Sequence, residues 1–234
     1  MSKEEKSENS NSTYWSIIEG SFRTQVPQTH PEVIVRHWEA GGESGVKYER
    51  AVRALTGYIT KVDFYDGESG GRKFTNLNIH LDADENGKTP IISVGVSTRY
   101  AQDILKKLPN IEMKDDVRIR PYSFQPEGED KNVTGVEITQ RNGAGLFEKK
   151  INSFFSVKEG EKWVAKNGYP TPEGDTAEYS SDDWDIFYKL ARRFLVNYTK
   201  QHIVPKFEKV EKDPLAEVFE KKDEESFDPA EIPF

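Results

Sequence analysis

The chain of 234 residues contains no cysteine, two methionines and four histidines. Without cysteine there is no disulfide, no thiolate zinc site and no cysteine nucleophile. The histidines, at 30, 37, 80 and 202, lack the spacing of a metal-ligating set. No apolar run approaches the ~20 residues that cross a bilayer. The stretch Met1–Glu8 has no apolar signal region, so a cytoplasmic protein without a membrane partner is expected. Phosphate-loop, serine-elbow and paired-histidine zinc motifs are all missing. Asp82, Asp84, Asn86 and Gly87 open like a calcium loop, but Ser93 stands where a bidentate glutamate is needed. The sequence therefore leads to no expected cofactor, no metal and no catalytic residue.

What is present is charge and aromatic rings. Charged residues make up 32% and aromatic residues 12%, more rings than a disordered chain carries and enough for a sizeable core. The net charge of −8 argues at first against a nucleic-acid partner. Its distribution weakens that objection. Residues 211–234 hold nine acidic residues and three lysines, a charge of −6, which leaves −2 for residues 1–210. A nearly neutral body can still gather positive charge along one groove.

Residues 1–12 are polar and read as a disordered lead-in, and 13–210 as one domain with its core at 55–140. Tyr14–Val26 is apolar and aromatic, a strand or packing arm. Residues 27–47, with Pro27, Pro31 and three glycines, read as loop. Then Gly57–Tyr65, Arg72–Leu81 and Pro90–Ser97 alternate with period 2, separated by turns at Asp66–Gly71 and Asp82–Gly87. Thr98–Leu108 switches to helical spacing and stops at Pro109. Asp116–Phe124 and Val133–Thr139 give two more strands. A helix between the third and fourth of five strands is the order of an OB-fold barrel, so a mainly β protein of that class is expected. Beyond it, Leu146–Lys158 reads as an aromatic, basic hairpin. A helix capped by Ser180 or Ser181 runs to His202, with Trp184, Phe187, Tyr188, Ala191, Phe194, Leu195 and Tyr198 at 3, 4 spacing.

Alternation assigns faces. Leu77, Ile79 and Leu81 must point inward, which leaves Phe74, Asn76, Asn78 and His80 outside. Lys61 and Tyr65 share one side of the preceding strand. Val117 and Ile119 point in, so Arg118, Arg120, Tyr122 and Phe124 point out. Arg72 and Lys73 sit at a glycine-rich turn resembling a basic finger. Rings beside cations suit single-stranded DNA, since bases stack on rings while cations track phosphates. The competing reading packs the rings beneath the amino-terminal arm or the carboxy-terminal helix.

Past Val210 the chain is acidic and low in complexity, a tail expected to stay disordered. It ends on Asp228, then Glu231-Ile232-Pro233-Phe234. A terminal ring, an α-carboxylate and flanking acids form a handle for a partner with an apolar pocket and a basic rim. This tip resembles that of the bacterial single-stranded DNA-binding proteins and their phage counterparts, which join an OB domain to an acidic tail. The resemblance covers the last seven residues and the overall layout. It implies binding and protection of single-stranded DNA in replication, recombination and repair. It also implies recruitment of replication and repair enzymes through Asp228, Glu231, Ile232, Pro233 and Phe234, and it is compatible with a homo-oligomer. Residues 13–50 and 141–210 have no counterpart in the compact bacterial barrel, which points to a phage-encoded version acting in the host cytoplasm. The alternative is an OB-type protein-interaction module or recombination accessory protein without strong DNA binding of its own.

Overall fold

Strands make up 46% of the protein and helices 22%. The computed structural model describes residues 11–40, 42–112, 115–142, 144–160 and 162–208. The fold is mainly β, built around a large mixed sheet. Four strands precede the expected core: β1 (Ser12–Ile18), β2 (Ser21–Gln25), β3 (Ile34–Ala40) and β4 (Glu43–Val52). Then come β5 (Leu55–Gly57), β6 (Ile59–Ser69), β7 (Arg72–Leu81) and β8 (Thr89–Gly95). Helix α1 (Arg99–Lys107) separates these from β9 (Val117–Phe124), β10 (Val133–Arg141) and β11 (Phe147–Lys150). A hairpin of β12 (Ser156–Glu159) and β13 (Lys162–Ala165) leads to α2 (Ser181–His202) and α3 (Val204–Glu208).

The strands form a seven-stranded sheet, β3-β4-β2-β1-β8-β7-β6, a four-stranded sheet, β11-β10-β9-β5, and the β12-β13 pair. β5 and β6 are nearly continuous, with Tyr58 between them; β5 pairs with β9 and β6 with β7, so one stretch of chain joins both sheets. The inner faces meet in a core that includes Phe22, Leu77, Ile79, Ile92, Ile104, Ile119 and Ile138. α1 is capped by Thr98, whose hydroxyl accepts the Ala101 N–H at 3.2 Å. The Asp103 carboxylate ties α1 to β10, accepting the Val136 N–H at 2.6 Å and the Lys107 ammonium at 2.9 Å.

The five expected strands and the helix between them are present, yet the described residues form no closed barrel. The edge pairings account for this. β1 runs parallel to β8, Ser12–Trp15 beside Thr89–Ile92, and takes the edge a closing strand would need. β10 gives its outer edge to β11. Residues 27–47, expected as loop, are largely the β3-β4 hairpin; Pro27 and Pro31 mark only the turn that precedes it. That hairpin is fixed by Glu49, 4% exposed, which accepts Arg36 Nε at 2.9 Å and Nη2 at 2.7 Å, with Arg23 also close. The Arg36 hydrogen bonds hold the Glu49 carboxyl below the usual range despite its burial. A bulge between Ile59 and Lys61 corrects the expected alternation in β6: Ile59 is buried and Lys61 exposed, although strict period 2 would put both on one side. The helix expected to Leu108 and the helix capped by Ser180 both form, the latter with Ser180 and Asp183 in a reciprocal capping box. No described helix is long and apolar enough to cross a membrane.

The β1-β2 turn, Glu19-Gly20, has positive φ at both residues, 49° and 76°, as a two-residue hairpin requires. It presses against β9. A Cβ on Gly20 would stand 2.4 Å from the Ser123 nitrogen and 2.8 Å from the Tyr122 carbonyl carbon. Gly20→Ala is therefore expected to destabilise by about 1–2 kcal/mol for the left-handed backbone alone. Displacement of β9 adds to that, and the loss is measurable as a lowered urea midpoint with an unchanged slope. An unmoved midpoint would mean that this turn is not seated on β9 in solution.

Candidate nucleic-acid interface

The β6-β7 register sets Lys61 opposite His80, Asp63 opposite Asn78, Tyr65 opposite Asn76 and Gly67 opposite Phe74. Alternation had placed Lys61, Tyr65, Phe74, Asn76 and His80 on outward faces, and the strands bring them onto one. Their surroundings divide them. Asp63 accepts the Asn78 amide at 2.9 Å and pairs with Lys61 at 3.1 Å and His80 Nε2 at 3.0 Å. Burial works against its ionisation, but Asn78, Lys61 and His80 outweigh it and hold the carboxyl below the usual range. The Asn76 amide donates to the Ser93 hydroxyl at 3.2 Å. Lys61, Asn76 and His80 are thus engaged by neighbours on their own sheet.

Tyr65 and Phe74 stay open, 58% and 39% exposed with ring centroids 6.2 Å apart, on the arm of the hairpin whose tip is Gly70-Gly71. Arg72 and Lys73 are exposed beside that tip. Lys73 and Phe74 border a hollow of about 740 Å³ that Arg192 of α2 also lines. Asp66 and Glu68 line it too, so it is mixed in charge.

A second set lies on β9. Arg118, Arg120, Tyr122 and Phe124 occupy its outer face, opposite Thr139, Glu137, Gly135 and Val133 of β10. Arg118 is exposed, while Arg120 pairs with Glu137 at 2.6 Å. Both arginines border a hollow of about 280 Å³ with Phe147 and Lys150 of β11. Tyr122 is half-buried and lies across Gly135, where a Cβ would meet its hydroxyl at 2.4 Å. Burial, then the Asp103 and Glu137 charges, push its phenol above the ordinary tyrosine range. Phe124, 54% exposed, has its ring 6.0 Å from that of Tyr122.

Alternation on the core strands missed a third region. The expected Leu146–Lys158 hairpin is in fact β11, paired to β10, followed by the separate β12-β13 hairpin. Between α1, the chain after β11 and this hairpin runs a groove of about 1020 Å³. Lys106, Lys107, Lys150, Lys158 and Lys166 line it against a single carboxylate, Asp103. Tyr122, Phe154, Trp163, Tyr169 and Phe187 supply rings. The signal in the sequence was the glycine turn at Gly160 with Lys158 and Trp163 on either side of it.

The predicted partner-binding residues Asp228, Glu231, Ile232, Pro233 and Phe234 lie outside the described residues, as do most of the lead-in and the acidic tail. Among the described residues no group of three or more His, Asp or Glu could hold a metal ion. Neither a family model, a curated relative nor a solved structure matches this chain.

Proposed function

We propose that the protein binds single-stranded DNA, largely without regard to sequence, and recruits replication or repair enzymes through its acidic tip. The observation that carries this reading is the outer face of the four-stranded sheet. There Arg118, Arg120 and Lys150 line one hollow with Phe147, which Glu137 and Glu148 also line, and the Tyr122–Phe124 ring pair continues along β9. Guanidinium and ammonium groups neutralise phosphates, while rings accept bases of any identity. Tyr65, Phe74, Arg72 and Lys73 on the β6-β7 arm offer a second set of the same two chemistries.

The topology supports the OB assignment. Reading β5 and β6 as one strand, the order β8-β7-β6/β5-β9-β10, with α1 between the third and fourth strands, is the OB order. One seam, between β8 and β10, is left unpaired, and β1 lies along it on the β8 side. Such a barrel would be partly open, with extra strands on both free edges.

Titration of the four tryptophans with oligo-dT at low and high salt tests the function. Tight, salt-sensitive binding of the single strand and weak binding of a duplex of equal length are expected. No binding of oligo-dT at low salt would overturn the proposal. Deleting residues 211–234 removes a charge of −6 and is expected to leave that binding intact or strengthen it. Deleting Ile232–Phe234 alone is expected to abolish capture of repair enzymes without altering oligo-dT affinity.

A further inference from the structure

We infer that the groove between α1 and the β12-β13 hairpin is a second strand-binding site, outside the five-strand body, in which a base stacks on Trp163 and lysines hold the adjoining phosphates. This rests on the reading of the protein as a single-stranded DNA binder.

Three features of the groove agree. Its charge is one-sided, five lysines against Asp103, in a chain whose described body is close to neutral. Two of the five are engaged, Lys107 by Asp103 and the Val136 carbonyl and Lys106 over the Tyr169 ring at 4.8 Å. Lys166 is loosely paired with Glu159 at 3.6 Å, the side chains 50% and 59% exposed. Lys150 and Lys158 have no acidic partner among the described residues. The positive charge left over, carried chiefly by Lys150 and Lys158, favours a polyanion.

The second feature is Trp163. It is 70% exposed, the most exposed large apolar side chain in the described residues, on a residue type that is ordinarily well covered. The β-ladder puts it directly opposite Lys158, so ring and ammonium leave the hairpin on the same face. A flat ring next to a cation matches one nucleotide: the base takes the ring and the phosphate takes the ammonium. The base of the hairpin is closed by the Lys166 N–H, which donates to the Phe155 carbonyl at 2.8 Å, and by the Asn167 amide, which donates to the Phe154 carbonyl at 2.6 Å.

Continuity is the third. Lys150 borders both this groove and the hollow of Arg118 and Arg120, and Tyr122 belongs both to the groove and to the outer face of β9. A strand lying along β9 thus reaches the groove past three carboxylates, Glu137 and Glu148 in the hollow and Asp103 in the groove. A bound double helix would not present single bases to Trp163, which makes the groove selective for single strands. The consequence is a longer footprint than the five-strand body alone would give.

The experiment compares oligo-dT of about 8 nucleotides, within the span of one OB domain, and about 25, beyond it. Wild type, Trp163→Ala, Trp163→Phe and Lys158→Ala/Lys166→Ala are titrated in the full chain by anisotropy of the labelled DNA. For the long oligonucleotide, Trp163→Ala is expected to weaken binding about tenfold, Trp163→Phe to restore most of it, and the double lysine variant to lower the salt slope by about 1.4. The short oligonucleotide, held on the β9 face, is expected to bind all four proteins alike. Equal losses for both lengths, or none for either, would overturn the groove while leaving the function standing. Failure of wild type to bind either length would instead remove the function on which the groove depends. Far-UV dichroism of each variant guards against unfolding, and the exposed hairpin position of Trp163 makes that outcome easy to separate from lost contact.

Discussion

Phe155→Ala is expected to destabilise the protein by about 3–5 kcal/mol, the range for truncating a fully buried aromatic ring. Phe155 is 1% exposed and sits at the centre of an aromatic cluster. Its ring meets Phe154 at 5.1 Å, Tyr198 at 4.9 Å, Phe194 at 5.4 Å and Tyr169 at 6.0 Å, three of these edge-on. Edge-to-face pairs add to the burial term, so alanine loses contacts on several sides at once. The ring also joins elements distant in sequence: the β12-β13 hairpin, the chain at Tyr169, and α2 through Phe194 and Tyr198. Urea denaturation followed at 222 nm measures the total loss. Emission from Trp163 and Trp184 then reports whether the carboxy-terminal elements loosen first. A loss below about 1 kcal/mol would mean that the cluster is not packed in solution as the structure has it.

This cluster also shows where the sequence was legible. In α2 the spacing of Phe194, Leu195 and Tyr198 and the Ser180 cap stated the helix and its buried stripe, because helical periodicity over 22 residues leaves no rival pattern. What that stripe packs against was not written locally. Phe154 and Phe155 sit in a stretch with no period of its own, and their partners lie 14 to 44 residues away. The core strands were legible for the same reason as α2: Leu77, Ile79 and Leu81 cannot face water together.

Closure of the barrel was not legible. It depends on which strand occupies the free edge of β8, and a parallel pairing between β1 and β8 across more than seventy residues leaves no trace in either strand's alternation. The β3-β4 hairpin was hidden by composition. Gly45 stands opposite Trp38, where a Cβ would come within 2.8 Å of the indole nitrogen, so a glycine that reads as loop is there to admit a ring. The bulge at Ile59 and Lys61 likewise cannot be read from strict period 2, since one extra residue reverses every later side.

For the site, alternation grouped residues correctly by face but could not tell a free cation from an engaged one. Lys61 and Arg118 look alike in sequence. In the structure Lys61 faces Asp63, which also holds Asn78 and His80, whereas Arg118 faces Thr139 and Thr56. Asp63 itself was visible, two residues from Lys61 on the same strand. What could not be seen was that the next strand would deliver His80 and Asn78 to the same carboxylate. Function on the proposed reading therefore shifts from the β6-β7 face toward β9, β10 and β11.

That shift makes Arg118 and Arg120 the pair whose loss is expected to weaken binding most. Replacing both with alanine removes two cations from one hollow, and on single strands each phosphate contact contributes about 0.7 to the slope of log K against log salt. The slope is expected to fall by about 1.4, which corresponds to a wild-type advantage shrinking about sevenfold between about 50 and 200 mM salt. Folding is expected to change little. Arg118 has no acidic partner among the described residues, and the Arg120–Glu137 pair is 52% and 29% exposed, a setting in which ion pairs contribute up to about 1 kcal/mol. Glu137 supplies the decisive control. In the free protein it holds Arg120 at 2.6 Å, so a phosphate must compete with it. Glu137→Gln removes that competitor and is expected to tighten oligo-dT binding at low salt, the opposite sign from the arginine variant at the neighbouring position. If Glu137→Gln weakened binding, Arg120 would be serving the sheet rather than a phosphate. An unchanged slope in the double arginine variant would move the strand off this face altogether.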